Sequence, residues 1–256
     1  MTLPSEALRK QTFPELEYLP IRHGIFPKQD DKEEASQVSD EVISSSLGGN
    51  DFCEVISSSL GGNDFCNARQ VHGTSVRYVT PKTPKRAPAD GLFTTTLLLS
   101  LHIYHADCQA AIFYDPENHV IANVHAGWRG LVGNIYAVTV RLLKKTFNTR
   151  PQDLIVAISP SLGPDMAVYP DYKRLFPSSF FPLMPKENHL DFRAVARKQL
   201  LSEGLSSNHI FISERCTCSE SNTFFSFRSW KSRHQQDPSA IRSRKNNVTA
   251  VLLLPR

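Results

Sequence analysis

Alternating apolar and polar residues predict a group of strands in the middle of the chain. Residues 99–103 alternate with period two, which is typical of a half-buried strand. Two apolar runs follow at 110–114 and 120–124, and the Asp-Pro-Glu-Asn sequence between them is typical of a tight turn. These runs are therefore predicted to pair as an antiparallel hairpin, with Asp115 opposite Val120.

This predicted hairpin brings a thiol and an imidazole together. In the register given above, Cys108 faces Gly127, and His125 is its diagonal neighbour on the same face. Diagonal residues lie roughly 7–8 Å apart at the backbone, so both side chains can reach one ion or one substrate atom between them. A shift of one residue would move His125 to the opposite face, so the prediction depends on the register.

Other apolar patterns divide most of the chain into short elements. Strand patterns lie at 15–26, 64–71, 76–79, 153–158, 210–212 and 248–254, and helix patterns lie at 131–145 and 191–204. Asp191 has the position of an N-cap and Gly204 that of a helix stop. The Ser-Pro-Ser-Leu-Gly-Pro sequence at 159–164 is interpreted as a rigid loop that could form the wall of a pocket.

Residues 28–63 are predicted to form a mobile loop. Residues 28–40 are charged and poor in aromatic side chains, and 41–53 and 54–66 are identical copies of one sequence. A repeat of this length is too short for the known repeat architectures. We interpret the first copy as an insertion, because lengthening a surface loop costs little closure entropy. Removal of 41–53 is then predicted to change stability by less than about 1 kcal/mol.

Polar residues near the predicted strand ends are candidates for a functional site. His72 lies beside Gly73, where a strand is interrupted and an imidazole can project into a cleft. Asp90 starts a strand, although taken alone it fits a turn former or cap better, and Asp107 lies in the turn before Cys108. These positions add an imidazole and two carboxylates to the predicted hairpin pair.

Two arginines are candidates for binding an anion. The chain breaks at 126–130 before the helix pattern, so free N–H groups lie beside Arg129 and favour an anion there. Arg228 begins a basic segment that reaches Lys245 and usually indicates a solvated face. The planar guanidinium of an arginine in this segment also suits a phosphate.

Composition excludes several classes of protein. The net charge of +4 over 256 residues is too small to indicate nucleic acid or a membrane as partner. No apolar run approaches the roughly 18 residues that cross a bilayer, and the N-terminal segment lacks the apolar core of a signal peptide. The five cysteines are irregularly spaced, which fits a reducing compartment. We therefore expect a cytoplasmic protein with one domain over residues 1–256, as a monomer or a homodimer.

Several motifs occur in an order that resembles the YfiH-like family, once called multicopper polyphenol oxidoreductases or laccase-domain proteins. The motifs are IRHGIF, RQVHG, ADGLFT, the hairpin from HADC to HAGWRG, SPSLGP, LDFRAVARKQL and CTCSESNTFFSFR. Together they extend over most of the chain. The resemblance implies an α+β fold in one domain, with mixed β-sheets layered between helices as α/β/β/α.

The resemblance also implies a metal site and an activity. His72, Cys108 and His125 correspond to the zinc-binding, catalytic triplet of the family, with copper as the alternative metal. Two imidazoles and a thiolate leave a fourth position open for water or substrate, as catalytic zinc requires. The implied reaction is phosphorolysis of adenosine, inosine or methylthioadenosine to free base and ribose 1-phosphate, with adenosine deamination as a second activity. The candidate contacts to the nucleoside and to phosphate are Arg129, Arg228, Asp90 and Asp107.

Departures from the family pattern affect the predicted phosphate contacts. The chain has Pro27-Lys28 where Thr-Arg is common, and Arg228-Ser229 where two arginines are common. Arg244 is the nearest candidate for an arginine that the family places before its last strand.

Three other functions remain open at this point. A copper-dependent polyphenol oxidase, or laccase, would need many more imidazoles than one triplet, and the chain has nine histidines. A hydrolase or editing amidase could use Cys108 as nucleophile and His125 as base, and activity without metal would favour it. An RNA-binding module could use the basic C-terminal segment, and salt-sensitive RNA binding would indicate it.

Overall fold

The computed structural model describes residues 9–27, 49–234 and 246–256, and strands in this part of the chain form two mixed sheets. The strands are β1 (Ile21–Phe26), β2 (Asp64–Arg69), β3 (Val76–Tyr78), β4 (Ala87–Pro88), β5 (Gly91–Thr94), β6 (Leu99–His105), β7 (Gln109–Asp115), β8 (Val120–Ala126), β9 (Ile155–Ile158), β10 (Ile210–Ile212) and β11 (Asn247–Leu253). The first sheet has the order β1-β11-β6-β2-β4, and the second has the order β10-β9-β7-β8-β5-β3.

In the part of the chain that the structure describes, six helices accompany these sheets, and some of them cover the outer faces. They are α1 (Gly49–Ser59), α2 (Trp128–Val132), α3 (Ile135–Phe147), α4 (Tyr172–Leu175), α5 (Phe192–Ser202) and α6 (Phe227–Arg233), with 3-10 turns at Pro14–Leu16, Pro151–Asp153, Ser178–Leu183 and Ser207–His209. Within the described ranges, the helices are too short or too polar to cross a membrane.

Side-chain alternation along the strands builds the layers. Val251 of β11 and Ile112 of β7 lie in the core between the two sheets. Leu252, the next residue of β11, points the other way and packs with Ile56 of α1. Phe113, the next residue of β7, lies in the core that α3 and α5 share with the second sheet. The order of layers is therefore α/β/β/α, and the single-domain α+β fold implied by the resemblance is confirmed.

The predicted hairpin is present in the predicted register. Asp115 pairs with Val120 and Ala110 pairs with His125, so β7 and β8 continue without a bulge to the pair Gln109–Ala126. Cys108 therefore lies one residue beyond the paired end of β7. The local turn sequence and the two apolar runs determine this register together.

The prediction of a half-buried strand at 99–103 is wrong, because β6 is buried on both faces. The polar face of β6 lies under α1, where its side chains are partly hydrogen-bonded and His102 Nδ1 is buried without a partner among the described residues. Ser100 Oγ lies 2.8 Å from His102 Nε2, and the His102 ring stacks on Phe65 at 5.4 Å between centroids. Polar residues with such partners can occupy an interior position that the alternation assigned to solvent.

Several predicted boundaries also differ from the structure, two of them by a whole segment. The strand predicted at 15–26 is limited to β1, because a 3-10 turn precedes it. The helix predicted at 131–145 is two helices, α2 and α3. Asn134 separates them with a left-handed backbone (φ 56°), and its side chain accepts a hydrogen bond from the Ala137 N–H as the N-cap of α3.

The loop predicted at 28–63 contains a helix. Residues 28–48 lie outside the described part of the chain, but α1 runs across the junction of the two sequence copies. Cys53, the last residue of the first copy, is fully buried, and its Sγ lies 2.7 Å from Tyr104 Oη. Ile56 and Leu60 of the second copy fill the adjacent core. The end of the first copy is thus packed structure, because its apolar residues cover the first sheet.

Candidate metal centre

The structure brings His72, Cys108 and His125 together from three places in the sequence. One donor atom from each residue lies within 4.8 Å of the other two, and the imidazole rings of His72 and His125 meet edge to face at 4.8 Å between centroids. His72 follows β2, Cys108 precedes β7 and His125 is near the end of β8. The diagonal placement of Cys108 and His125 predicted from the hairpin is therefore present, with a second imidazole added to it.

The space among these side chains depends on a glycine. A Cβ atom at Gly127 would lie 3.1 Å from both Cys108 Sγ and His72 Cδ2. Such contacts are tighter than carbon atoms normally accept, so a larger residue would push the donors apart. The Ala-Gly-Trp sequence after His125 thus leaves room for the cluster and then starts α2.

Charge within the cluster favours an ionised thiol. Burial alone would raise the pKa of Cys108, but hydrogen bonds and charges from His125 and His72 outweigh it and lower this pKa to about 7. Burial alone would lower the pKa of His125, but the hydrogen bonds that its ring donates to Asp90 and Cys108 raise it to about 9. The cluster therefore shifts the metal-free pair toward a thiolate beside an imidazolium.

Asp90 lies beneath the cluster and has no solvent exposure. Its Oδ1 accepts hydrogen bonds from the N–H groups of Val71 and His72 at 3.1 and 2.8 Å and lies 3.2 Å from His125 Nδ1. Its Oδ2 accepts the Gly73 N–H at 2.7 Å. Burial opposes ionisation of Asp90, but these hydrogen bonds lower its pKa. Asp90 was predicted to contact the substrate, but its carboxylate is hydrogen-bonded to groups of the protein itself.

Asp107 and Arg228 are neighbours across the chain. Asp107 accepts the Thr217 hydroxyl at 2.7 Å and the backbone N–H of Arg228 at 2.6 Å, and so it holds the start of α6. The Arg228 guanidinium donates to the Met166 and Val168 carbonyl oxygens at 3.0 and 3.2 Å. Asp107 therefore lies next to Cys108 in the cavity lining, whereas the Arg228 side chain is bonded to the loop that carries Met166 and Val168.

Arg129 lies on the surface of α2. Its side chain is exposed and its guanidinium stacks on the Trp128 ring at 4.2 Å. It is absent from the residues that line the cavity next to Cys108. Lys28 and Arg244, the other residues named in connection with an anion, lie outside the described ranges.

An apolar cavity opens beside Cys108. Its lining comprises Asp107, Cys108, Gln109, Ala126, Trp128, Leu131, Ser161, Leu162, Tyr169 and Phe192. Ser161 and Leu162 belong to the loop that was predicted as a pocket wall. Tyr169 and Phe192 were missed, because their positions give no local signal that distinguishes a cavity lining from a core. The Ser161 hydroxyl is buried in this lining without a hydrogen-bond partner.

Two imidazoles and a thiolate at the edge of an apolar cavity define a candidate metal centre carried by a two-sheet α+β fold. The chain belongs to the family described as multi-copper polyphenol oxidoreductase laccase, whose sequence profile matches residues 51–237.

Relatives with assigned names align over the same region. YlmD of Geobacillus stearothermophilus, named a purine nucleoside phosphorylase, is 34% identical over 177 residues, which cover 62% of this chain and 65% of YlmD. YfiH of Shigella flexneri, which carries the same activity in its name, is 30% identical over 62% of this chain and 66% of YfiH. The alignments thus span slightly less than two thirds of either relative.

Solved structures are similar over nearly the whole chain. The crystal structure of Geobacillus stearothermophilus YlmD has a TM-score of 0.69 at 25% identity and covers 93% of both chains. A Neisseria meningitidis protein has a TM-score of 0.74 at 20% identity, covering 97% of this chain and 99% of its own. The fold is therefore shared with both.

Proposed function

We propose that the protein is a zinc-dependent purine nucleoside phosphorylase, which converts a purine nucleoside and phosphate to free base and ribose 1-phosphate. The observation that carries the proposal is the position of Cys108, which belongs to the donor cluster and also lines the apolar cavity. The names of the relatives support the same activity.

The donor set fits zinc. Thiolate and imidazole are preferred zinc ligands, and three protein ligands with one open position are typical of catalytic zinc. When bound, the ion supplies a Lewis acid that can polarise an oxygen of the substrate. Copper is the alternative, but a multicopper centre needs several donor groups, and in residues 9–27, 49–234 and 246–256 this cluster alone combines at least three possible donors.

The lining of the cavity offers contacts that suit a purine base. Trp128, Tyr169 and Phe192 offer aromatic surface against which a purine ring can stack. The buried Ser161 hydroxyl can donate to or accept from a polar edge of the base. Apolar walls also exclude water, which would otherwise compete with phosphate for the sugar.

Arg228 is the proposed phosphate contact, in preference to Arg129. Both guanidinium groups lie over aromatic rings of the cavity lining, Arg228 over Tyr169 at 5.3 Å and Arg129 over Trp128 at 4.2 Å. Arg228 is preferred because its backbone N–H donates to Asp107, the neighbour of Cys108 in that lining. In the reaction, an oxygen of phosphate bonds to C1′ as the bond from C1′ to N9 breaks. The electron pair passes to the purine, which takes up a proton. Arg228 would hold the phosphate against the sugar during this exchange.

Adenosine deamination is a second activity that we assign to the same cavity, since adenosine would bind there in either reaction. Formation of inosine and ammonia without phosphate would demonstrate it. Methylthioadenosine is included among the proposed phosphorolysis substrates.

A thiol hydrolase is the competing function, and one observation favours it. Cys108, His125 and Asp90 form a chain in which the carboxylate bonds one imidazole nitrogen and the thiol interacts with the same ring. This arrangement resembles the nucleophile, base and orienting acid of cysteine hydrolases. Such an enzyme would be active without metal.

The experiment compares zinc-loaded and chelator-treated protein with adenosine and inosine, with and without phosphate. We expect free base only from the zinc-loaded protein in the presence of phosphate, and none from Cys108→Ser. Amide hydrolysis by the metal-free protein, without phosphate-dependent release of base, would support the hydrolase instead.

A further inference from the structure

Asp90 connects the two histidines of the donor cluster although it lies outside the cluster. Its side chain accepts hydrogen bonds from three N–H groups of the loop at 71–73, and its Oδ1 lies 3.2 Å from His125 Nδ1. Its backbone carbonyl accepts the His125 N–H at 2.7 Å. One buried residue is therefore bonded to the segments that carry both imidazoles.

The loop at 71–73 needs such support. His72 has a left-handed backbone (φ 60°), which a residue with a side chain rarely adopts and which costs free energy. Val71 and His72 are exposed, so packing contributes little to holding them. The carboxylate of Asp90, which accepts the N–H groups of three consecutive residues, offsets this cost and fixes where the His72 ring points.

We infer that Asp90 is a positioning residue that orients His72 and His125 toward a shared metal ion. The inference rests on the proposed function only in its choice of zinc as the ion. Asp90 receives the hydrogen of His125 Nδ1, and so Nε2 of that ring is left free as the donor. Its negative charge also strengthens the imidazole as a ligand, an effect that an amide cannot supply.

The chain offers a matched control in Asp115. This carboxylate is also buried, and it also accepts N–H groups of a turn, those of Glu117 and Asn118 at 3.0 Å. It lies at the far end of β7 from Cys108, about 20 Å away along a strand of this length. Loss of charge at Asp115 therefore disturbs a similar turn without reaching the donor cluster.

The test measures zinc affinity of the full-length protein by competition with a chromophoric chelator. We expect Asp90→Asn to weaken zinc binding by about 10–100-fold, and Asp115→Asn to leave it within about threefold of wild type. Cobalt substituted for zinc should show a changed absorption spectrum in Asp90→Asn alone. Equal zinc affinity in Asp90→Asn and wild type would overturn the inference, and so would an equal loss in Asp115→Asn.

A second measurement covers the case in which Asp90→Asn does not fold. Hydrogen exchange of the metal-free wild type should show slow amides at residues 71–73, although this loop is exposed, because Asp90 accepts all three. Exchange as fast as in an unbonded loop would overturn the inference. Neither measurement uses phosphorolysis, so the loss of the proposed activity and the loss of this inference are distinguishable.

Discussion

Two serines of one loop have different partners, and this difference predicts different effects of removing them. The Ser161 hydroxyl is buried in the cavity lining without a partner. Ser159 Oγ accepts the Ala110 N–H at 3.0 Å and donates to the Pro160 carbonyl oxygen at 3.1 Å. An unpaired hydroxyl in a binding cavity is available to a ligand, whereas a paired one holds the fold.

Ser161→Ala is therefore expected to weaken use of the nucleoside by about 1 kcal/mol, roughly a fivefold loss in kcat/KM, with little loss of stability. Ser159→Ala, the control, should instead reduce the free energy of unfolding by about 1–3 kcal/mol, because it leaves the buried Ala110 N–H unpaired. Steady-state kinetics and denaturant unfolding of both variants check this. Unchanged kinetics in Ser161→Ala would show that the purine base of the nucleoside does not contact Ser161.

Buried histidines make the fold sensitive to acid. Burial lowers the pKa of His23 to about 4 and the pKa values of His102 and His105 to about 3. The Phe13 N–H donates to His23 Nε2 at 2.8 Å, a bond that only the unprotonated nitrogen can accept. In the unfolded chain these histidines take up protons near pH 6.5. In the native protein they take up protons only at the lower pH values given above.

The free energy of unfolding should therefore rise with pH between about 4 and 6.5 and level off above that range. Between about pH 4 and pH 6, each of these histidines contributes up to about 1.4 kcal/mol per pH unit. His23→Gln keeps an acceptor for Phe13 and should reduce the slope by one proton. Denaturant unfolding at several pH values measures this, and a slope unaffected by His23→Gln would contradict it.

At the level of elements, the two identical sequence copies form different secondary structures, which a local sequence pattern cannot distinguish. The pentapeptide Gly-Asn-Asp-Phe-Cys is the first half of α1 at 49–53, and the same letters at 62–66 lead into β2. Cys53 faces the first sheet under α1, whereas Cys66 lies between the sheets. The structure of each copy is determined by tertiary packing, and a local sequence pattern carries no information about that packing.

Removal of residues 41–53 is consequently expected to destabilise the protein, in contrast to the prediction from sequence. The deletion joins Asp40 directly to Glu54. Asp40 then takes the position of Cys53 and Ser39 takes that of Phe52, so a carboxylate and a hydroxyl replace a thiol and an aromatic ring. Burying or displacing them should cost about 2 kcal/mol or more. Changing Asp40→Cys and Ser39→Phe within the deletion variant should restore stability in denaturant unfolding. A deletion variant as stable as wild type would show that α1 does not need the first copy.

The hairpin is the element that sequence predicts best, because both its turn and its alternation are local. Its register alone predicts that Cys108 lies beside His125. The break between α2 and α3 at Asn134 was missed, since a left-handed N-cap interrupts an otherwise continuous apolar pattern. The role of Asp90 was missed for another reason: its partners are 17–19 and 35 residues away in the sequence.

At the level of the whole molecule, the cavity is assembled from segments that only the fold brings together. Cys108 immediately precedes β7, Tyr169 lies in the loop before α4, and Phe192 begins α5. The apolar stripe of α5 predicts a core helix, and nothing in it distinguishes the residue that faces a cavity. The family resemblance supplied the donor triplet, whereas the aromatic walls follow from the structure alone.

The most direct measurement is a phosphorus NMR spectrum of the zinc-loaded protein with adenosine and phosphate. We predict a new ribose 1-phosphate resonance that grows in step with free adenine, and no such resonance with Cys108→Ser. Adenine released together with free ribose, or no adenine at any phosphate concentration, would contradict the assignment of this protein as a phosphorylase.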